Sequence, residues 1–129
     1  MPLALPHRRC AASLSRRPSS PIRIHAGLAD ALRRFPGGVY VVWYPIKDRP
    51  GVESFKALQR TLPLPPTLAV ELTIFGEERP DRLNGCGLLV LNPPWQIANE
   101  LAPMVDALRD KLAVEPGACS GLEWLREEA

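Results

Sequence analysis

The sequence predicts an α/β fold, a mixed sheet whose third strand opposes the other two, with helices packed against it. Three observations carry this. Stretches with apolar residues at helical spacing alternate with short runs of β-branched and aromatic residues. The link between the first two runs has room for a crossover helix, which makes those strands parallel and right-handed; the link between the second and third holds only about ten residues, which makes that pair an antiparallel hairpin. Fifteen prolines among 129 residues, about twice the usual share of roughly 5%, exclude long helical bundles and coiled coils.

The elements follow in order. Ile24, Leu28, Ala31, Leu32 and Phe35 recur at i, i+4, i+7, i+8 and i+11, one face of a helix that Pro36-Gly37-Gly38 stops. Val39-Tyr40-Val41-Val42-Trp43-Tyr44 lacks alternation and reads as a strand buried on both faces, ended by Pro45. Asp48 is placed to cap a helix over about residues 50–61, with Val52, Phe55, Leu58 and Leu62 inward and Pro63-Leu64-Pro65-Pro66 closing it. Thr67 to Phe75 forms the second strand, Gly76 to Gly85 a charged turn, and Cys86 to Leu91 the third strand. A helix over 96–112 carries Ile97, Leu101, Met104, Val105, Leu108 and Leu112 on one stripe, with a kink expected at Pro103. Residues 121–126 read as a short further strand.

Composition narrows the function classes. The length suits one domain and one core. A net charge of +2 with 23% charged residues argues against a disordered polyelectrolyte and against a strongly basic nucleic-acid binder. No apolar run approaches the roughly 20 residues that span a bilayer. Cys10, Cys86 and Cys119 are odd in number and widely spaced, a poor disulfide framework that fits a reducing cytoplasm. His7 and His25 lie at no zinc-ligand spacing from a cysteine or carboxylate, so no metal site is expected; His25 reads as a surface residue at a helix start.

The mild net charge hides an asymmetry. Residues 1–24 hold five arginines and no acid, leaving eleven bases against fourteen acids in residues 25–129. Residues 1–23, rich in arginine, proline and serine and without apolar periodicity, are expected to be disordered. Three readings of them stand side by side: a transit-type leader, a tail whose arginines contact phosphates, or a stretch outside the fold's own coding frame, since GC-rich codons yield this composition out of frame.

The sharpest local string is Asn92-Pro93-Pro94-Trp95. Amino-group methyltransferases carry Asn/Asp-Pro-Pro-aromatic, whose polar side chain and proline-fixed carbonyl accept hydrogen bonds from an exocyclic amine while the aromatic stacks on an extruded base. Here it follows the strand that runs against the other two, so Asn92 leaves the sheet at the rim opposite Tyr44, whereas ligands of open α/β sheets gather at the carboxyl ends of the parallel strands. The string is therefore expected to be structural, a helix cap with Trp95 packed on the core. Gly85-Cys86-Gly87 precedes a strand rather than opening a helix and reads as a turn, not a cofactor loop. Trp43, Tyr44, Pro45 and Lys47 sit at the carboxyl end of a parallel strand and form the candidate substrate-side rim. Glu71, within a strand, reads as a hydrogen-bonded or edge carboxylate rather than a general base.

Taken together, Gly38 to Lys47, Ala69-Val70-Glu71-Leu72 and Asn84 to Trp95, in that order and spacing, resemble the carboxyl-terminal half of the bacterial 23S ribosomal RNA adenine-N6 methyltransferases of the RlmJ type, over about residues 24–129. The resemblance implies a partial Rossmann-like methyltransferase fold, its three strands being the last three of a seven-stranded sheet with the antiparallel one inserted between its neighbours. It implies S-adenosylmethionine as cofactor and 23S ribosomal RNA as partner of the intact family. The family's catalytic Asp-Pro-Pro-aromatic motif and cofactor loop belong to earlier strands and have no matching positions here, so no catalytic or cofactor residue carries over and no cofactor is expected for this chain alone. The expected function is a fragment of such an enzyme, inactive by itself; the alternative is a non-catalytic interaction module, either a complementing half-protein or an RNA-binding remnant. For the fragment, self-association or aggregation through the apolar edge at 39–44 is expected.

Overall fold

The computed structural model describes residues 21–127. The expected disorder of residues 1–23, together with His7 and Cys10, falls almost wholly outside them. The described chain runs α1 (Pro21–Arg34), β1 (Tyr40–Ile46), α2 (Arg49–Arg60), β2 (Thr67–Thr73), β3 (Gly85–Leu91), α3 (Ile97–Leu112) and β4 (Cys119–Arg126). α1 starts three residues before Ile24, so Pro21 to Arg23 are helical. Proline suits that first turn because the N–H it lacks has no partner there.

The four strands lie in the order β1-β3-β2-β4. β3 is antiparallel to both β1 and β2, which makes those two parallel to each other. The register pairs Tyr40 with Leu91 and Ile46 with Gly85, so the carboxyl end of β3 lies beside the start of β1. β4, longer than residues 121–126, adds antiparallel to β2 with an irregularity at Thr67/Leu68. Its weak apolar pattern hides its length, because half of its residues face water.

Strand alternation divides the core in two. On one face Tyr40, Val42, Tyr44, Ile46, Ala69, Leu89 and Leu91 pack under Leu28 and Leu32 of α1 and Val52 and Phe55 of α2. Each such large side chain contributes about 1.5–3 kcal/mol by leaving water. On the other face Leu68 and Val70 meet Val105 of α3, with Leu101, Leu122 and Trp124 partly buried around them. Asp48 caps α2 by accepting from Gly51 N–H at 2.8 Å, with extended backbone at the cap.

Two expectations about burial are corrected. Phe35 lies beyond the end of α1 and is exposed, because the helix stops at Arg34 and the turn at Pro36 swings it outward. The stripe on α3 is half covered: Val105 is buried, but Met104, Leu108 and Leu112 stay exposed because the helix lies over β2 and β4 only. α3 continues through Pro103, which removes the N–H that would bond to the carbonyl of Asn99. Among the described residues no helix is long and apolar enough to cross a membrane.

Candidate functional site

The carboxyl end of β1 gathers the densest polar chemistry of the described chain. Tyr44 points into the helical layer, its ring 4.9 Å from that of Phe55, and its hydroxyl donates to Glu71 Oε2 at 2.6 Å. Lys56, on the buried side of α2, reaches the same carboxylate at 2.8 Å and donates to Glu123 of β4 at 2.9 Å. Arg49 closes the cluster, one nitrogen 2.7 Å from Glu71 Oε1 and the other 2.7 Å from Glu78. The cluster thus ties α2, β1, β2 and β4 together.

Its electrostatics are those of a saturated scaffold. Burial alone would push Glu71 up, but hydrogen bonds from Lys56, Tyr44 and Arg49 outweigh it and hold the carboxyl below its ordinary value. Burial likewise opposes the Lys56 ammonium, and its bonds to Glu71 and Glu123 reverse that and raise its pKa. Burial, then the charge and hydrogen bond of Glu71, push the Tyr44 hydroxyl far above its usual range. A carboxylate held ionised by three donors has little basicity left, and a phenol so raised stays protonated. Glu71 is a hydrogen-bonded structural carboxylate.

The four rim residues do not converge. Alternation sends Trp43 and Pro45 to the face opposite Tyr44, and Lys47 lies exposed past the strand end. The carbonyl of Lys47 accepts from Asn84 Nδ2 at 2.7 Å. Asn84, fully buried, also receives Arg79 N–H and Arg82 Nε on its Oδ1, so it pins the 76–84 turn to the end of β1.

At the opposite rim Asn92 takes a left-handed backbone (φ 55°), and its amide donates to the carbonyls of Pro36 at 2.9 Å and Gly38 at 2.8 Å. It is a brace between turns, not the cap of α3. That position belongs to Gln96, also left-handed (φ 62°) and without a side-chain cap. Nor does Trp95 pack on the core. It is 80% exposed, because the two left-handed residues flanking Pro93-Pro94-Trp95 turn the segment outward.

Gly85-Cys86-Gly87 is likewise corrected from a turn to the first part of β3. A side chain at Gly85 would strike the Leu72 carbonyl, and one at Gly87 the Tyr44 ring. These glycines admit neighbours within the sheet and leave no opening for a phosphate or a methionine chain between them. Cys86 and Cys119 are free thiols, and no group of three metal-ligating residues exists among the described residues. His25 lies in α1, its Nε2 2.9 Å from Thr61 Oγ1.

Lys56, Arg49, Asn84 and Glu123 escape sequence reasoning. Lys56 sits among the apolar positions of α2, between Phe55 and Leu58. A lysine there is the one signal that a buried charge awaits it, and only its partners, from distant strands, give it meaning.

A family model described as "Ribosomal RNA large subunit methyltransferase D, RlmJ" matches residues 17–126. The chain belongs to this family. It is 23% identical over 103 residues to the ribosomal RNA large subunit methyltransferase J of Escherichia coli K12, covering 80% of this chain and 37% of that protein. It is 26% identical over 102 residues to the protein of the same name from Haemophilus influenzae, covering 78% of this chain and 36% of that one. The chain thus spans little more than a third of these RlmJ relatives. Protein LPL1258 of Legionella pneumophila shares the fold with a TM-score of 0.70 at 23% identity, over 83% of this chain and 39% of that one. Together these make the mixed α/β architecture a partial methyltransferase fold. The match begins before Ile24, where family character was expected to start.

Proposed function

We propose that the chain supplies one side of an S-adenosylmethionine-dependent methyltransferase domain that modifies the N6 amine of an adenine in 23S ribosomal RNA, in the bacterial cytoplasm, and that it transfers no methyl group by itself. The observation that carries this is coverage: the family match takes in most of the chain but little more than a third of the relatives. The geometry is in keeping. The acid and phenol at the carboxyl rim are locked by neighbours, the glycine pair is packed into the sheet, and the Asn-Pro-Pro-Trp string stands at the rim away from Tyr44. These residues stiffen a platform; they do not move a proton or hold a donor.

The purified chain, dialysed to equilibrium against labelled S-adenosylmethionine and then offered 23S ribosomal RNA, is expected to retain no cofactor and transfer no label. Stoichiometric micromolar binding would overturn the inactivity.

A second reading, a non-catalytic interaction module, draws support from the free edge of β1, which has a partner strand on one side only among the described residues. An apolar edge of this kind pairs with other chains. On this reading the chain alone self-associates.

A further inference from the structure

Three turns meet at the rim where β3 ends, and Asn92 joins them. Its side-chain amide holds the 35–38 turn through the carbonyls of Pro36 and Gly38, and its N–H donates to the Pro66 carbonyl at 2.8 Å. Ile97 N–H donates to the Pro94 carbonyl at 3.1 Å, so the 92–97 segment is fixed at its far end as well. Each proline in these turns has its φ locked by the ring, which makes the rim stiff.

On this base stands Trp95. Among the described residues Asn92 and Gln96 are the only non-glycine residues with left-handed backbone, a conformation that is costly for any side chain with a Cβ, and they bracket Pro93-Pro94-Trp95. Such strain persists only where the surroundings impose it, and it gathers at sites that bind or act. Here its result is an indole 80% exposed, the most exposed large apolar side chain among the described residues.

The surroundings of the indole say what it would hold. A tryptophan that anchors a protein interface sits inside a ring of apolar neighbours that exclude water, whereas Trp95 is followed by exposed Gln96 and, one turn on, exposed Asn99. The other exposed aromatic of the rim is Phe35, 43% exposed, at the start of the turn that Asn92 braces. The loops 35–38, 61–66 and 92–96 hold no charged residue. Arg33 and Arg34 close α1 where it enters the rim, with side chains 71% and 72% exposed and only Asp30 between them as counter-charge. Glu100 lies in the first turn of α3, so the surface is mildly basic at one flank and stacking has to carry more of a contact than charge. Separate aromatic faces with a guanidinium nearby suit an unpaired base and its phosphate.

We infer that Trp95, with Phe35 and the guanidiniums of Arg33 and Arg34 at its side, forms a stacking site for an unpaired nucleotide of the RNA substrate, on the rim opposite the Tyr44 end of the sheet. This rests on the reading of the chain as one side of an RNA-modifying domain. β1 has seven residues, which at about 3.3 Å each puts the two rims about 20 Å apart. The site therefore holds RNA without touching the reacting base.

The test titrates the full 129-residue chain with a dye-labelled, unstructured oligoribonucleotide of about 12 nucleotides, reading dye anisotropy and tryptophan fluorescence together. Wild type is expected to bind with quenching that saturates alongside the anisotropy. W95A, whose thermal melt should match wild type because the side chain is exposed, is expected to lose that quenching and to weaken binding roughly tenfold or more. W95F, which keeps an aromatic face, should retain most of the affinity. Arg33→Gln combined with Arg34→Gln should lower the salt slope by about 1. A duplex of the same sequence, with no free base to offer, should bind more weakly than the single strand. No binding by wild type, W95A binding as tightly as wild type, a preference for the duplex, or a homodimer that W95A abolishes would overturn the site. S-adenosylmethionine retained by the chain would bear on the catalytic reading alone, and the titration on the stacking site alone.

Discussion

Lys56 Nζ lies 2.8 Å from Glu71 Oε2, and this contact joins the second helix to the second strand where the helix would otherwise present an apolar face. Lys56 is only 4% exposed along its side chain, so its charge survives burial because Glu71 and Glu123 receive it and Glu53 lies 3.6 Å away.

Removing Lys56 leaves the buried Glu71 carboxylate with Arg49 as its one remaining cation, and weakening a buried ionic cluster in this way is costly. Lys56→Met is therefore expected to destabilise the chain by about 3 kcal/mol, read as a lower urea midpoint at unchanged slope. The double variant Lys56→Met with Glu71→Gln should recover part of the loss, since the most buried carboxylate that faced Lys56 is then neutral and Glu123 stays half open to water. A double variant no more stable than Lys56→Met would rule out this coupling.

Acid sensitivity follows from the same carboxylate. The folded state holds Glu71 below its ordinary 4.5, so the stability it contributes is full above that value and fades as pH falls through the lower folded one. Lys56 is raised above 10.5, so its share is full below that value and fades as pH rises through the higher folded one. Urea melts of wild type and Glu71→Gln across pH 2–7 should converge at the acid end. Parallel curves would show that Glu71 does not titrate with unfolding.

Asn92 combines a left-handed backbone with two hydrogen bonds. Asn92→Ala should lose about 2 kcal/mol through backbone strain and two carbonyls left without their donor. Asn92→Gly keeps the backbone and loses only the bonds, so thermal melts should place it between wild type and alanine. Equal melting of the two variants would remove the backbone component.

The chain alone is expected to self-associate through the outer edge of β1, which has no partner strand among the described residues. Sedimentation at rising concentration should show dimers or larger species, and Trp43→Lys, placing a charge on the edge strand beside the exposed Leu88, should shift them toward monomer. A wild-type chain that sediments as a monomer throughout would count against the edge as a pairing surface.

The strand directions were legible because connection length decides them: a helix-length link and a hairpin-length link leave one arrangement of three strands. Asp48 was legible for a similar reason, since a cap acts within three residues. Long-range partners were not. Lys56 passes unremarked among the apolar positions of its helix, and Glu71 looks polar within a strand, yet nothing local says that one receives the other. Trp95 was misplaced because hydrophobicity predicts burial on average, whereas here two left-handed residues dictate orientation. Half of the α3 stripe was misread in the same way, because periodicity identifies an apolar face without saying what covers it.

The order β1-β3-β2-β4 also governs assembly in time. The strand that holds β1 to β2 is made third, so a growing chain has both strands in hand and no ladder between them until Gly85–Leu91 emerges. Sheet formation therefore waits on contacts between residues some fifty positions apart, such as Tyr40 with Leu91, and non-local pairing of this sort slows folding. Two apolar strands stand exposed during that wait, and the nascent chain is most vulnerable to aggregation just before its central strand arrives.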